Sequence, residues 1–190
     1  PRIVPEAKVI KQITYKEVRE LSYMGASVLH AEAIAPVMKR RIPINIKNTF
    51  NPSHPGTMIV KAVDGQLDGN NVITGVSGQK GLTIINIEKN LMNSEVGFVR
   101  RVLSILEYEG ISFEHLPSGI DTMSLVIRDE YLNGKMQRIL QKIKETVNPD
   151  NLEIHSGMSL VAIVGHNMAC RLGTAATVFR ALADAHINIR

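Results

Sequence analysis

The strongest constraint on the fold is an internal repeat that aligns without gaps. Residues 97–114 superpose on residues 173–190 with a constant offset of 76 positions, the separation of Gly97 and Gly173. Both copies begin with that glycine and share three apolar residues, Val102/Val178, Leu106/Leu182 and Ile111/Ile187. The offset also aligns Thr83–Glu88 with Ser159–Val164 and Met92 with Met168. A repeat this long predicts two copies of a small α+β unit and excludes a solenoid.

The first copy predicts a strand, a loop, a helix and a second strand. Thr83–Glu88 is a short β-branched run typical of a strand, and Asn90–Gly97 is a polar loop. Apolar residues then recur at helical spacing at Val99, Val102, Leu103 and Leu106. Two further strands are predicted, one from the alternation of Ile111 and Phe113 with polar residues and one from the run Met123–Ile127. A helix is predicted from near Asn133 to before Pro149, and Leu152–His155 closes a βαββαβ unit.

The N-terminal part predicts two helices and two strands before a linker. Thr14 and Glu17 have the spacing of a capping box, so a helix is expected from there to about Gly25. A second helix is expected over Ala31–Arg41, where Pro36 predicts a kink or a late start. The remaining predictions are strands at Ile42–Ile46 and Thr57–Val63, a linker at Asp64–Asn71, a strand at Val72–Val76 and a turn at Gly78–Gly81.

Composition limits the partners of this chain. Hydrophobic content of 44% with 21% charged residues is typical of a folded globular protein, and no apolar run reaches the roughly 20 residues that span a membrane. The net charge of +4 comes from scattered residues, and the only basic cluster, Lys39–Arg41, ends a predicted helix, so no nucleic acid partner is expected. The single cysteine, Cys170, favours a reducing cytoplasm. Because the chain opens at Pro1, we expect a fragment.

The motifs contain no signature of catalysis or metal binding. None of the six histidines has a partner at a metal-ligand spacing, and the phosphate-binding and nucleophile motifs are missing. The helix entry over Met92–Phe98 does offer free backbone donors that suit a carboxylate. Glu114, on the following strand, offers a charge for an ammonium group. This pattern fits a free amino acid, and the alternative is a plain helix cap with a solvated glutamate.

The sequence resembles aspartate kinases over essentially its whole length. Ile13–Glu17, Gly25–His30, Ile42–Pro52 and Pro55–Thr57 resemble the end of the catalytic domain, and the second part resembles the tandem ACT domains that regulate it. The resemblance implies a remnant of an α/β amino-acid kinase domain over residues 1–63 and a linker with a strand of the second ACT domain over 64–82. Two α+β, ferredoxin-like βαββαβ ACT domains would follow, at 83–155 and, incomplete, at 156–190.

The resemblance also implies the position of the effector site. Glu114 replaces the usual Asp, and the turn Pro117–Asp121 departs from the Thr-Ser-Glu form of some lysine-inhibited members, so lysine alone or lysine with threonine is expected. Lys47 is weakly implied in nucleotide binding, with a solvated loop lysine as the alternative. The implied effector residues are Met92, Ser94, Gly97, Phe98, Val99, Ser112, Phe113, Glu114, Ser118, Gly119 and Ile120.

The resemblance implies feedback regulation of an enzyme. The parent would use ATP with Mg²⁺ to phosphorylate aspartate to 4-phospho-L-aspartate, the first step towards lysine, threonine and methionine. This fragment lacks the Lys-Phe-Gly-Gly-Thr-Ser motif, so it is expected to have no catalytic residues, to need no cofactor and to be inactive alone. A homodimer through the ACT domains is expected because small sheets leave open edges. The alternatives are a freestanding amino-acid-binding ACT subunit and a dimerisation module.

Overall fold

A computed structural model describes residues 4–25, 29, 31–63, 72–166, 168 and 171–190. The described residues form two compact units. The first comprises those up to Gly78 together with those from Val161 onward, and the second comprises Gln79–Leu160. The predicted linker at Asp64–Asn71 and Cys170 lie outside the described residues, and the predicted domain bounds stay a prediction.

The first unit begins with a small three-stranded sheet and two helices. The strands are β1 (Gln12–Thr14), β2 (Ile44–Ile46) and β3 (Thr57–Val60), and β3 lies centrally, parallel to β1 and antiparallel to β2. Helix α1 (Tyr15–Tyr23) begins at Thr14 with the predicted capping box. The buried apolar residues of this unit form one cluster: Ile13, Tyr15, Val18, Leu21, Ile34, Ile59 and Val164.

Helix α2 (Ala31–Lys39) contains Pro36 in its interior. The predicted late start is therefore wrong, because the helix begins well before the proline. Pro36 is exposed, while Ile34 is buried in the core of the unit. Burial of Ile34 favours the helix, although Pro36 removes one of its backbone donors.

Two strands are longer than the sequence predicts. Strand β4 (Ile73–Glu88) runs through Gly78–Gly81, so the predicted turn there is wrong. Gly81 takes a φ of +75°, which glycine tolerates without ending the strand. Strand β6 (Asn151–Gly165) likewise joins the predicted strands at Leu152–His155 and Ser159–Val164. The two long strands are adjacent in a second sheet of order β5-β4-β6, where β5 spans Thr122–Arg128.

The second unit places helices against that sheet, with a ferredoxin-like arrangement. Helix α3 (Phe98–Tyr108) and helix α5 (Met136–Val147) follow the predicted periodicity, and a short helix α4 (Asp129–Leu132) precedes α5. Residues 111–118 run beside β5 through isolated bridges at His115–Val126 and Ser118–Met123. The core is continuous between sheet and helices and includes Ile85, Ile87, Phe98, Val102, Leu106, Leu125, Ile139 and Ile143.

The repeat is visible in the backbone geometry of α3 and of α6 (Thr174–Asp184). Each helix starts after a glycine in the left-handed region, Gly97 at φ 79° and Gly173 at φ 84°. Each ends through a matching bond, from the Ile111 amide to the Leu106 carbonyl and from the Ile187 amide to the Leu182 carbonyl, both of 2.9 Å. Helix α6 differs in having no buried residue. None of the helices in the described part of the chain is long and apolar enough to cross a membrane.

Candidate functional site

The helix-entry loop and the turn after residue 117 are tied together in the second unit. The Asn93 amide donates to the Ile120 carbonyl at 3.1 Å. Asp121 anchors the same loop twice, because its carboxylate accepts from the Leu91 amide at 2.9 Å and its carbonyl accepts from the Lys89 amide at 2.9 Å. The structure therefore brings two of the three predicted groups of effector residues together.

The predicted residues of the helix-entry loop differ in which of their atoms a ligand could reach. Met92 and Phe98 are buried in the core, so their side chains are not available to a ligand. Ser94 is exposed, and its hydroxyl lies 3.3 Å from the side-chain oxygen of Asn93. Gly97 has the positive φ that starts α3. The backbone and the Ser94 hydroxyl therefore supply the polar groups of the loop.

An ion-pair network that the sequence analysis did not identify fixes this loop. Glu95 pairs with Lys89 at 3.0 Å and with Arg101. A hydrogen bond from Lys89, with further support from Arg101, holds the pKa of Glu95 below its usual value. The Lys89 ammonium also lies 5.7 Å from the centre of the Phe98 ring. The three charges follow one another at intervals of six residues and lie after β4, in the loop and on α3, so the periodicity of a single helix could not have predicted their pairing.

Glu114 occupies a different place from the one the sequence suggests. Its side chain is only 5% exposed, and its Oε1 accepts from Nε of Arg128 at 2.5 Å. Its Oε2 is buried and has no hydrogen-bond partner among the described residues. The hydrogen bond to Glu114 raises the pKa of Arg128 above its usual value. Arg128 is thus part of the Glu114 environment, although the sequence analysis did not single it out.

Within one chain Glu114 is not beside the helix entry. The segment runs antiparallel to β5, with His115 opposite Val126 and Ser118 opposite Met123. Glu114 precedes Ser118 by four residues, so their Cα atoms are about 13 Å apart at roughly 3.3 Å per residue. The predicted carboxylate and the turn that is tied to the helix entry are therefore separated along β5.

Three other predicted residues line one groove. Val99, Ser112 and Phe113 lie along a groove of about 740 Å³ between α3 and the segment that follows it. Leu103, Leu106 and Ile111 make the groove mainly apolar. Ser118 and Gly119 are exposed, as is Ile120, in the turn that is tied to Asn93.

Lys47, the predicted nucleotide contact, lies in an exposed loop of the first unit. Its ammonium donates to the Pro52 carbonyl at 3.1 Å, so the loop uses it as an internal link. A role in nucleotide binding stays a prediction. In the described ranges, no group of three His, Cys, Asp or Glu residues is placed to hold a metal ion.

Comparison with known proteins agrees with this architecture. The amino acid kinase family matches residues 1–48, and an ACT domain matches residues 161–190. Aspartokinase 3 of Bacillus subtilis is 40% identical over the entire chain, which covers 41% of that protein. The chain is thus similar to an aspartokinase along its whole length. It spans about two-fifths of the length of that relative.

Two solved aspartokinase structures share the fold over the entire chain. Aspartate kinase of Clostridium acetobutylicum matches with 55% identity and a TM-score of 0.93, and 43% of that protein is covered. Aspartokinase III of Escherichia coli, in complex with lysine and aspartate, matches with 25% identity and a TM-score of 0.76, and 41% of it is covered. The ferredoxin-like prediction is confirmed at the level of fold.

Proposed function

We propose that this chain is the regulatory portion of an aspartate kinase that binds an end-product amino acid, lysine alone or with threonine. The parent would transfer a phosphoryl group from ATP, with Mg²⁺, to the β-carboxylate of aspartate in the cytoplasm. Similarity to aspartokinases supports this activity for the parent, and the lysine complex of the Escherichia coli relative supports an amino acid as the effector. This chain alone would not phosphorylate aspartate, since it lacks the Lys-Phe-Gly-Gly-Thr-Ser motif.

The unpartnered Oε2 of Glu114 is the observation that carries the ligand class. A buried carboxylate oxygen without a donor costs about 1–3 kcal/mol or more, because it has lost water and gained nothing. Arg128 satisfies only Oε1. An ammonium group carries three donors and a positive charge, so it can satisfy Oε2 without displacing Arg128.

The helix entry supplies the complementary half of the recognition. The tied loop and turn hold the backbone amides at the start of α3 in place, and such amides favour a carboxylate. The α-ammonium and the α-carboxylate of an amino acid are attached to one carbon, whereas Glu114 lies about 13 Å from Ser118 by the strand rise. If one amino acid places its α-ammonium at Glu114 and its α-carboxylate at the helix entry, these two parts of the site must come from different protomers. The proposed homodimer would supply both.

Calorimetric titration of the 190-residue chain with lysine, threonine and both together tests the proposal. Glu114→Gln keeps the size of the side chain and removes its charge, so we expect lysine affinity to fall by at least about tenfold. Glu145→Gln is the control, because Glu145 is an exposed carboxylate on α5 whose hydrogen bond is to Gln141.

Circular dichroism must show that both variants remain folded. Wild-type lysine affinity in folded Glu114→Gln would refute the assignment of Glu114. No heat of binding for either amino acid in the unmodified chain, at millimolar concentrations, would refute the effector proposal itself.

A further inference from the structure

A small basic pocket lies between α3 and α5 on the helical side of the second unit. It has a volume of about 280 Å³. Its lining includes three cationic side chains and three hydroxyl groups, from Arg100, Arg101, Lys142, Ser104, Tyr108 and Thr146. Arg100 and Ser104 also line the apolar groove beside α3, whereas Glu114 lines neither.

Two arginines lie at the N-terminal end of α3, where a positive charge is unfavourable. Arg100 and Arg101 both lie in the first turn, which contains no acidic residue, and the helix dipole there favours negative charge. Arg101 shares Glu95 with Lys89, yet its Nε is buried and has no acceptor within the described part of the chain. Arg100 forms no ion pair with any described carboxylate. This part of the pocket therefore carries positive charge at an electrostatic cost.

The opposite wall of the pocket is also cationic. Glu109, whose side chain is 3% exposed, pairs with Lys142 at 2.8 Å and with Arg138. Hydrogen bonds from Lys142 and then Arg138 hold the pKa of Glu109 below its usual value, so it is ionised at neutral pH. The Lys142 ammonium lies 3.8 Å from the centre of the Tyr108 ring. One buried carboxylate is thus paired with two cations.

The charge balance around the pocket is positive. Of the three cations that line it, Arg101 pairs with Glu95 and Lys142 pairs with Glu109, and each of these carboxylates also pairs with a cation outside the lining, Lys89 or Arg138. Arg100 has no such pair among the described residues, so the lining cations outnumber the carboxylates paired with them by one. Glu107 lines the neighbouring groove instead, and Glu145 accepts from Gln141.

We propose that this pocket binds a small phosphate-bearing anion. Guanidinium groups match the geometry of phosphate oxygens, and hydroxyl groups can donate to the same oxygens. Bound phosphate would give Nε of Arg101 the acceptor that it lacks and would neutralise Arg100. The proposal does not depend on the amino acid effector, because the pocket shares none of the residues predicted for that site.

Nuclear magnetic resonance of the ¹⁵N-labelled chain tests the proposal with inorganic phosphate, pyrophosphate and ATP at constant ionic strength. We expect amide shifts that saturate at Ser104, Tyr108 and Thr146, with pyrophosphate tighter than phosphate. Equal affinity for ATP and pyrophosphate would mean that phosphate groups alone are recognised, and tighter ATP binding would identify a nucleotide as their source. Matched titration with sodium acetate should leave these amides unchanged.

Arg100→Gln is the decisive variant, because Arg100 has no described ion pair whose loss would disturb the fold. We expect it to weaken pyrophosphate binding by about fivefold or more, and Lys142→Gln by a similar factor. Lys144→Gln, on α5 but outside the pocket lining, should change affinity by less than about twofold. Shifts that spread over the surface, or equal affinity in Arg100→Gln and Lys144→Gln, would overturn the proposal.

Discussion

Replacing Thr74 with valine tests how the start of β4 is held in the first unit. Glu17 of α1 is buried, and its carboxylate accepts three hydrogen bonds from two threonines. The amide and the hydroxyl of Thr14 donate to Oε2 of Glu17 at 2.8 Å and 2.6 Å, and the hydroxyl of Thr74 donates to Oε1 at 2.6 Å. Burial alone would raise the pKa of Glu17, but the hydrogen bonds from Thr14 and Thr74 outweigh it and lower the pKa below 4.5.

Thr74→Val keeps the shape of the side chain and removes one donor from a charged, buried acceptor. A hydrogen bond to a charged group contributes about 1.5–3 kcal/mol, so we expect the free energy of unfolding to fall by about that amount. Urea unfolding followed by circular dichroism measures it. Thr177→Val on α6 is the control, since its exposed hydroxyl bonds only the Gly173 carbonyl, and it should change stability by less than about 0.5 kcal/mol.

The pH dependence gives a second, independent test of the same bond. A carboxylate with a lowered folded-state pKa contributes stability above its unfolded-state pKa, near 4.5, and loses it as pH falls through the folded-state value. The difference in the free energy of unfolding between the wild type and Thr74→Val should therefore reach its full size at pH 6 and become smaller below about pH 4.5. A difference below about 0.5 kcal/mol at pH 6, or one independent of pH, would refute the reasoning.

Two further predictions concern packing and assembly. Gly165→Ala should destabilise the first unit by about 1–3 kcal/mol or more in thermal unfolding, because its Cβ would lie 1.9 Å from the Val72 carbonyl oxygen; unchanged stability would contradict this packing. The chain should sediment as a dimer at about 50 µM, with lysine shifting the equilibrium further towards dimer, and a monomer with and without lysine would count against a site completed by a second protomer.

Local patterns in the sequence predicted the regular elements well. The capping box at Thr14, the apolar stripe of α3 and the run that forms β5 are each set by residues within a few positions of one another. The repeat predicted the matching starts of α3 and α6, which the two left-handed glycines confirm. These features depend on backbone geometry and short-range periodicity, which a sequence displays directly.

The errors and omissions arise where distant residues decide the outcome. Gly81 has the positive φ that a turn would need, yet pairing of Leu82–Glu88 with β5 continues the strand beyond it. Glu114 and Arg128 are 14 residues apart, and the sequence has no signal that would pair them. The role of Glu114 in effector binding therefore stays a prediction, and its buried partner Arg128 was not predicted.

The two repeats provide an internal control for the effector assignment. Glu114 aligns with Arg190 and Phe98 with Thr174, so the second copy has a cation where the first has the carboxylate proposed to receive an ammonium group. Its loop includes Asn167, which lies outside the described residues, and Met168. Met168→Ala should therefore leave lysine affinity within about twofold of the wild type, whereas Glu114→Gln reduces it at least about tenfold. If calorimetry gives the reverse order, with both variants folded by circular dichroism, the effector belongs to the second repeat.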